Sequence, residues 1–352
     1  MTKVNPSLAA EAISSVEVRH ATVHTMVIDK DQVYVEARNE ELKINPVTQR
    51  LVDTLYDVYR RRTSKKHGIF NGNDELAPAQ KYARAYLLEK TEKDFCRFTK
   101  RLTELLSDKA KNTGATTGHV FFAHVYDKRE YLLITIVANE TEFALSDEMD
   151  LKEIERLKSK DFRFAGRIDV TGWRDEQERY LSFLKGTKEV SNYFMAFLGC
   201  DTTIAGLKDT KNLVKAVIQF SQIAKRNNVP LSDNERQLFL ISVDQYCRKI
   251  QKENQPMDIG ALCNAVWPED PDAMGIVIAE ASADDSVNDG FMVDTRGLKS
   301  LKHITGKGKY WKIEIDRQAL NKDNVTFNYK DRTITLHGAS DELMEQLLQL
   351  KS

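Results

Sequence analysis

The chain has 352 residues, enough to bury a sizeable core and to form two domains. Its 52 Lys and Arg stand against 53 Asp and Glu, a formal net charge of -1, which excludes a protein that coats nucleic acid through overall charge. With 41% apolar and 30% charged residues, the composition is that of an ordinary soluble globular protein.

The four cysteines, Cys96, Cys200, Cys247 and Cys263, lie far apart without a CxxC spacing, as expected of free thiols in a reducing cytoplasm. The opening segment MTKVNPSLAAEAISS lacks the apolar core of a signal peptide. The most apolar long run, YLLITIVA at 131–138, is too short to span a bilayer. A cytoplasmic protein without membrane contact is expected.

In chain order, residues 16–37 alternate as a hairpin, VEVRHATVHTMVI and VYVEAR around the turn DKDQ. Asn45 and Pro46 then read as an N-cap and first helical position, since Pro lacks the N–H that a helix start cannot use. Val47, Leu51, Leu55 and Val58 place one apolar face on this helix, which is expected to stop by Gly68. A helical region follows over 78–111, with Thr91 and Asp94 as a capping pair and Phe95, Phe98, Leu102, Leu105 and Leu106 on one face. GHVFFAHVY and EYLLITIVA, joined by DKR, are apolar enough for the middle of a sheet, and FRFAGRIDV is a further strand.

From about 176 to 283 the pattern turns helical, with Ser232 and Glu235 as a capping box opening SDNERQLFLISVDQYCRKIQ. The end is β again: KYWKIEID, then VTFNYKDRTITLHG around a turn at Lys330–Asp331, then a closing helix DELMEQLLQL. No repeat and no low-complexity tract interrupts this order. The reading is α+β: a mixed or antiparallel sheet with helices over 1–175, then 176–352 as a domain that is helical (176–283) and then β-rich (290–352) with a closing helix.

Catalytic signals are weak. His20 and His24 have the spacing of helical metal ligands but sit in a strand, where that spacing does not give a shared coordination geometry. His119 and His124, five apart on a strand, face opposite ways. TGKGKY resembles a phosphate loop but has Leu301 and His303 where a Walker A motif needs Gly. KIEID, with Lys312, Glu314 and Asp316, lacks the second acidic motif a metal-dependent nuclease would need and reads as an exposed strand face. No GxSxG elbow or thiol signature is present, so neither enzyme activity nor a cofactor or metal is expected.

Charge patterning says more. Arg60 to His67 packs five Lys and Arg and one His into eight residues, more cations than the carbonyls of a helix end require. Between Trp267 and Arg296 eight acids face one Arg, a difference of -7. Arg296 to Lys312 then carries six cations and no acid, with His303, Tyr310 and Trp311 interleaved. Such a mixture suits phosphate neutralisation with an aromatic against sugar or base; the alternative is a solvated loop beside a strand with one ring in the core. The acidic segment is read either as a flexible linker or as a screen lying against Lys302, Lys307 and Lys309 when DNA is absent.

RIDVTGW (167–173), YLSFLKG (180–186) and YFMAFLG (193–199), in this order and spacing, resemble the bacterial nucleoid-associated protein family of the NdpA/YejK type. The likeness extends to VYRRRTSKKHGIF, DELA (74–77), LKHITGKGKYWKIEID and TITLHG, nearly the whole chain. The resemblance implies a DNA-binding homodimer of the cytoplasmic nucleoid without enzymatic activity. RRR after the Tyr and the lysines of GKGK are more basic than is usual in that family.

The expected function is non-catalytic, largely sequence-independent binding of double-stranded DNA through local basic patches, since no recognition-helix or zinc-finger signature is visible. The expected contacts are Arg60, Arg61, Arg62, Lys65, Lys66, Lys185, Lys188, Lys299, Lys302, Lys307, Lys309 and Lys312, with Arg60, Arg61, Lys65 and Lys66 exposed. The alternative is a protein-interaction module regulating a DNA enzyme such as a topoisomerase, or contacting another nucleoid protein.

Overall fold

The computed structural model describes residues 15–29, 32–72, 77–110, 117–145, 151–160, 162, 164–185, 195–202, 206–281, 283–317, 319, 324–328 and 330–349. The chain divides into two compact units: residues up to Ile204 together with Ala279–Asp289, and Ala205–Ile278 together with Gly290 onward.

The first unit is built on an antiparallel sheet. Its strands are β1 (Glu17–Asp29), β2 (Gln32–Glu36), β3 (Lys65–Phe70), β4 (Gly118–Asp127), β5 (Arg129–Val137), β8 (Phe164–Asp169), β9 (Leu181–Leu184) and β10 (Cys200–Asp201). They lie in the order β10-β3-β9-β8-β5-β4-β1-β2. A separate hairpin, β6 (Asn139–Leu145) and β7 (Leu151–Leu157), is not part of that sheet. Helices α1 (Pro46–Arg61), α2 (Pro78–Glu89), α3 (Glu92–Ala110) and α4 (Val170–Arg174) complete the unit.

Both sheet faces are covered, which explains the continuous apolar runs of β4 and β5. Phe122, Leu132, Ile134 and Phe183 face a cluster that includes Ala83 and Tyr86 of α2 and Phe95, Phe98 and Leu102 of α3. Phe121, Ala123, Val125, Leu133 and Leu184 face the other way, onto Val52, Leu55, Tyr56 and Tyr59 of α1. The Asn45 carboxamide accepts from the amides of Val47 and Thr48 at 2.9 and 3.0 Å, as the N-cap reading requires. Lys128, at φ 57°, makes the turn between β4 and β5.

Two sequence expectations change here. Helix α1 ends at Arg61, and KKHGIF is a strand, because β9 pairs with it from Lys65↔Leu184 to Gly68↔Leu181. Gly68 is therefore no helix stop. A Cβ there would lie 2.1 Å from the Asp201 carbonyl oxygen, so glycine is what admits β10 at this edge. The second change concerns residue 175, the expected domain boundary, which falls between β8 and β9, strands that pair in one sheet.

The second unit starts with α5 (Gly206–Ile223), α6 (Asp233–Lys252), α7 (Ile259–Val266) and α8 (Pro271–Ala279), the last residue of which counts with the first unit. The short ribbon β11 (Lys225–Arg226) and β12 (Val229–Pro230) joins α5 to α6. Ser232 and Glu235 form the expected reciprocal capping box. Phe220 and Phe239 each pack edge to face with Trp267 and tilted against each other, with centroids 5.4–5.7 Å apart, fixing α5, α6 and the end of α7 around one core. Then come a 3-10 turn (Thr295–Leu298), α9 (Lys299–Lys302), the hairpins β13 (His303–Lys307) with β14 (Lys312–Asp316) and β15 (Val325–Asn328) with β16 (Thr333–Leu336), and α10 (Asp341–Gln349). Among the described residues no helix is long and apolar enough to cross a membrane. The α+β expectation with antiparallel pairing holds.

Candidate nucleic-acid interface

The expected N-terminal patch is largely neutralised from within. Arg60 bridges Asp57 at 3.0 Å and Glu280 at 2.9 Å, and Arg61 meets Asp57 at 2.9 Å. Lys65, expected on the surface, is 1% exposed, with Nζ donating to the Arg60 carbonyl at 2.7 Å and lying 5.0 Å from the Tyr59 ring centroid. Burial, reinforced by the Arg167 guanidinium, holds its pKa well below that of an ordinary lysine. The cause is the strand pairing described above, which turns Lys65 inward; Lys66, next in the strand, is half-buried. Arg62 is exposed.

Lys185 gives its ammonium to Asp289 at 2.8 Å, and the same carboxylate accepts from Ser64 at 3.1 Å. The Asp289 amide donates to the Lys65 carbonyl, and Asn288 accepts from the His67 amide at 2.7 Å. Within the segment read as an acidic linker or a screen for Lys302, Lys307 and Lys309, Glu280 pairs with Arg60 and Asp289 with Lys185. Asp294 serves Arg296 at 2.6 Å. Lys188 and most of DELA (74–77) lie outside the described residues.

The C-terminal cations are placed differently. Lys299 is exposed on α9, while Lys302 reaches the Asp244 carboxylate at 3.1 Å. Beyond them β13 and β14 form a two-stranded ribbon in the register His303↔Asp316, Thr305↔Glu314 and Lys307↔Lys312. Pairing alternates sides, so Ile304, Gly306, Ile313 and Ile315 share the opposite face. Lys307 and Lys312 therefore stand directly across from each other at the loop end, both exposed. Like charges so placed destabilise a hairpin by a few tenths of a kcal/mol to about 1 kcal/mol unless an anion sits near them. Lys309 adds a third exposed cation in the loop.

The loop is closed by the Gly308 amide, which donates to the Trp311 carbonyl at 2.8 Å. Trp311 packs on the glycines: a Cβ on Gly308 would lie 2.3 Å from its indole Nε1, and one on Gly306 3.5 Å from its ring. The spacing GKGKYW thus builds a ribbon end, and not a nucleotide loop. Tyr310 is 85% exposed, with Lys309 Nζ 4.7 Å from its ring centroid. Tyr310 and Trp311 are adjacent in the sequence but differ in packing. The signal that separates them is the glycine pair, which provides a bed for one indole only.

The histidines serve the core. His24 Nδ1 accepts from the Arg38 amide at 3.1 Å, leaving Nε2–H to face the Thr99 hydroxyl at 3.0 Å. Burial, helped by Lys100, lowers its pKa to about 4. Tyr86 donates to His124 Nδ1, whose Nε2–H donates to Glu130 at 2.9 Å. Burial lowers the His124 pKa to about 4 against the pull of Glu130. Glu130 also takes Arg19, Lys90 and Arg174, so one buried carboxylate ties β1, the end of α2 and α4 to β5. Among the described residues no group of three His, Cys, Asp or Glu is arranged to hold a metal.

Fold and site together define a class: an α+β protein with an antiparallel sheet, a helical second unit and an exposed lysine-bearing ribbon. Over residues 22–344 the chain matches the family described as nucleoid-associated protein YejK, and it belongs to that family. It is 28% identical to a nucleoid-associated protein of Pseudomonas entomophila (strain L48) over 344 residues, covering 95% of this chain and 99% of the relative. A nucleoid-associated protein of Proteus mirabilis (strain HI4320) is 28% identical over 340 residues, covering 95% and 98%. One from Pseudomonas fluorescens (strain Pf0-1) is 26% identical over 340 residues, covering 94% and 98%.

Proposed function

We propose that this protein is a non-catalytic, largely sequence-independent DNA-binding protein of the cytoplasmic nucleoid, and that the β13–β14 ribbon is its principal phosphate contact. One observation carries this reading. Lys307 and Lys312 face each other across the ribbon with Lys309 in its loop, and among the described residues none of the three has an ion-pair partner, an arrangement that gains from phosphate. A two-stranded ribbon also has the width that a major groove of about 12 Å admits. No recognition helix is implied, so contacts fall on the backbone and not on base edges.

The test is a titration with random-sequence duplex at several salt concentrations. Replacing Lys307, Lys309 and Lys312 by Gln should weaken binding to unrelated sequences alike and reduce the log–log salt slope by roughly 0.9 per contact, about 2.7 in all. An unchanged slope would refute the ribbon as the phosphate contact.

A protein partner is the second reading. In α10, Leu343, Met344, Leu347 and Leu348 are 44–64% exposed, and Phe327 and Ile334 of the adjoining hairpin are 68% and 49% exposed. Apolar side chains in such number on short elements support burial against another chain. A second copy is the occupant taken here, consistent with a homodimer, and light scattering of wild type and Leu347→Glu tests it. A topoisomerase is the other partner to assay.

A further inference from the structure

Trp311 and Tyr310 are neighbours at one loop, yet only Trp311 has work within the protein. Its indole lies against Gly306 and Gly308, and its carbonyl closes the loop. Tyr310 is the most exposed large apolar or aromatic side chain among the described residues, at 85%. No positive φ occurs at the loop, so the backbone requires nothing special of that position. A tyrosine there adds no turn stability that Asn, Asp or Ser would not supply better. Among the described residues its ring contact is with Lys309, whose ammonium sits over the ring.

We propose that Tyr310 stacks on a nucleobase exposed in single-stranded or locally opened DNA, while Lys307, Lys309 and Lys312 hold the adjoining phosphates. This deepens the DNA-binding reading above and rests on it. The chemistry is that of strand-binding grooves, where a ring stacks on a base of any identity because every base presents a π face, and cations track the backbone. Regular duplex keeps its bases stacked and gives the ring nothing to cover, whereas the lysines contact phosphate in either form. The ribbon therefore has two separable functions: charge for affinity, and one ring for opened strands. The Lys309 ammonium over the ring adds a cation–π contact that survives when a base covers the opposite face.

The experiment uses the full chain and three DNA probes of equal length: oligo(dT), a random-sequence duplex, and that duplex with a central mismatch bubble. Binding constants are measured at one salt concentration for wild type, Tyr310→Ala, Tyr310→Leu, Tyr310→Phe and the triple Lys→Gln variant. Tyr310→Ala and Tyr310→Leu should weaken oligo(dT) and bubble binding roughly tenfold and duplex binding less than about twofold, with Tyr310→Phe retaining wild-type preference. An equal loss on all three probes, or no loss on any, overturns the stacking role. The Leu variant keeps apolar bulk, so a defect it shares with Ala belongs to the ring face and not to a collapsed loop. If the triple lysine variant loses affinity while Tyr310→Ala does not discriminate, only the stacking inference falls. If the triple variant also leaves duplex binding unchanged, the ribbon reading falls with it.

Discussion

The Lys185 ammonium lies 2.8 Å from the Asp289 carboxylate, joining residues 104 positions apart on the surface where β3 meets β9. Asp289 itself is 3% exposed and also accepts from Ser64. A carboxylate so enclosed and so satisfied is a structural group, and neutralising it leaves the Lys185 ammonium without its counter-ion. Asp289→Asn should cost on the order of 2 kcal/mol, read as a lower urea midpoint at unchanged m-value. Its effect on DNA affinity should be small beside that loss. A variant of unaltered stability that binds DNA several-fold more tightly would restore the screening role for this segment.

Arg60, Arg61, Lys65 and Lys66 give a prediction opposite to the one their sequence suggests. Changing all four to Gln should lower thermal stability, by about 2–4 kcal/mol in combination, because the Asp57 and Glu280 bridges and the buried Lys65 contact are lost. The salt slope for duplex DNA should stay at its wild-type value. A slope that falls by two or more would show these groups reaching phosphate after all.

Acid should weaken the first unit well before its carboxylates protonate. In the unfolded chain a histidine titrates near 6.5, whereas folded His24 and His124 titrate near 4. Between those values the unfolded chain holds more protons, so their contribution is full above about pH 6.5 and is lost as pH falls toward about 4. Each loss has an upper bound of about 3 kcal/mol. Unfolding midpoints at about pH 7, 5.5 and 4.5 check this, and His24→Gln should be less stable near pH 7 with a shallower decline. A flat profile over that range contradicts the assignment.

Gly308→Ala tests the ribbon end. The added methyl would lie 2.3 Å from the Trp311 indole nitrogen, so the ring has to leave its bed. Iodide should then quench more of the tryptophan emission, and duplex affinity should fall toward that of the triple lysine variant. The global unfolding midpoint should move by less than about 1 kcal/mol, since the ribbon end is exposed.

What the sequence displayed was local chemistry. Asn45 before Pro46, and Ser232 with Glu235, announce their helices because a cap is satisfied within four residues. The runs 118–126 and 130–138 announce central strands because both faces are covered. KKHGIF announced a helix end and is a strand, since the backbone partners of Lys65 to Gly68 come from residues 181–184 and 288–289. Nothing within a window of twenty residues carries that information. The β6–β7 hairpin was equally hidden: its charged residues, such as Glu140 and Arg156 at 3.5 Å, mimic a solvated loop. Of the site, the lysines of 307–312 were legible as charge, but their facing arrangement required the register.

The return of residues 279–289 to the first unit has a consequence for how the chain is made. Strand β3 leaves the ribosome early, yet its partners at Asn288 and Asp289 emerge more than 200 residues later. At 5–20 residues per second, the 85 residues from 204 to 289 take roughly 4–17 s to synthesise. During that interval the sheet edge holds Lys65 and His67 without their final covering, a state in which non-local closure and not local propensity limits the rate. A nascent chain halted after Ile278 should therefore be cleaved by protease near β3, and one released after Asp289 should resist.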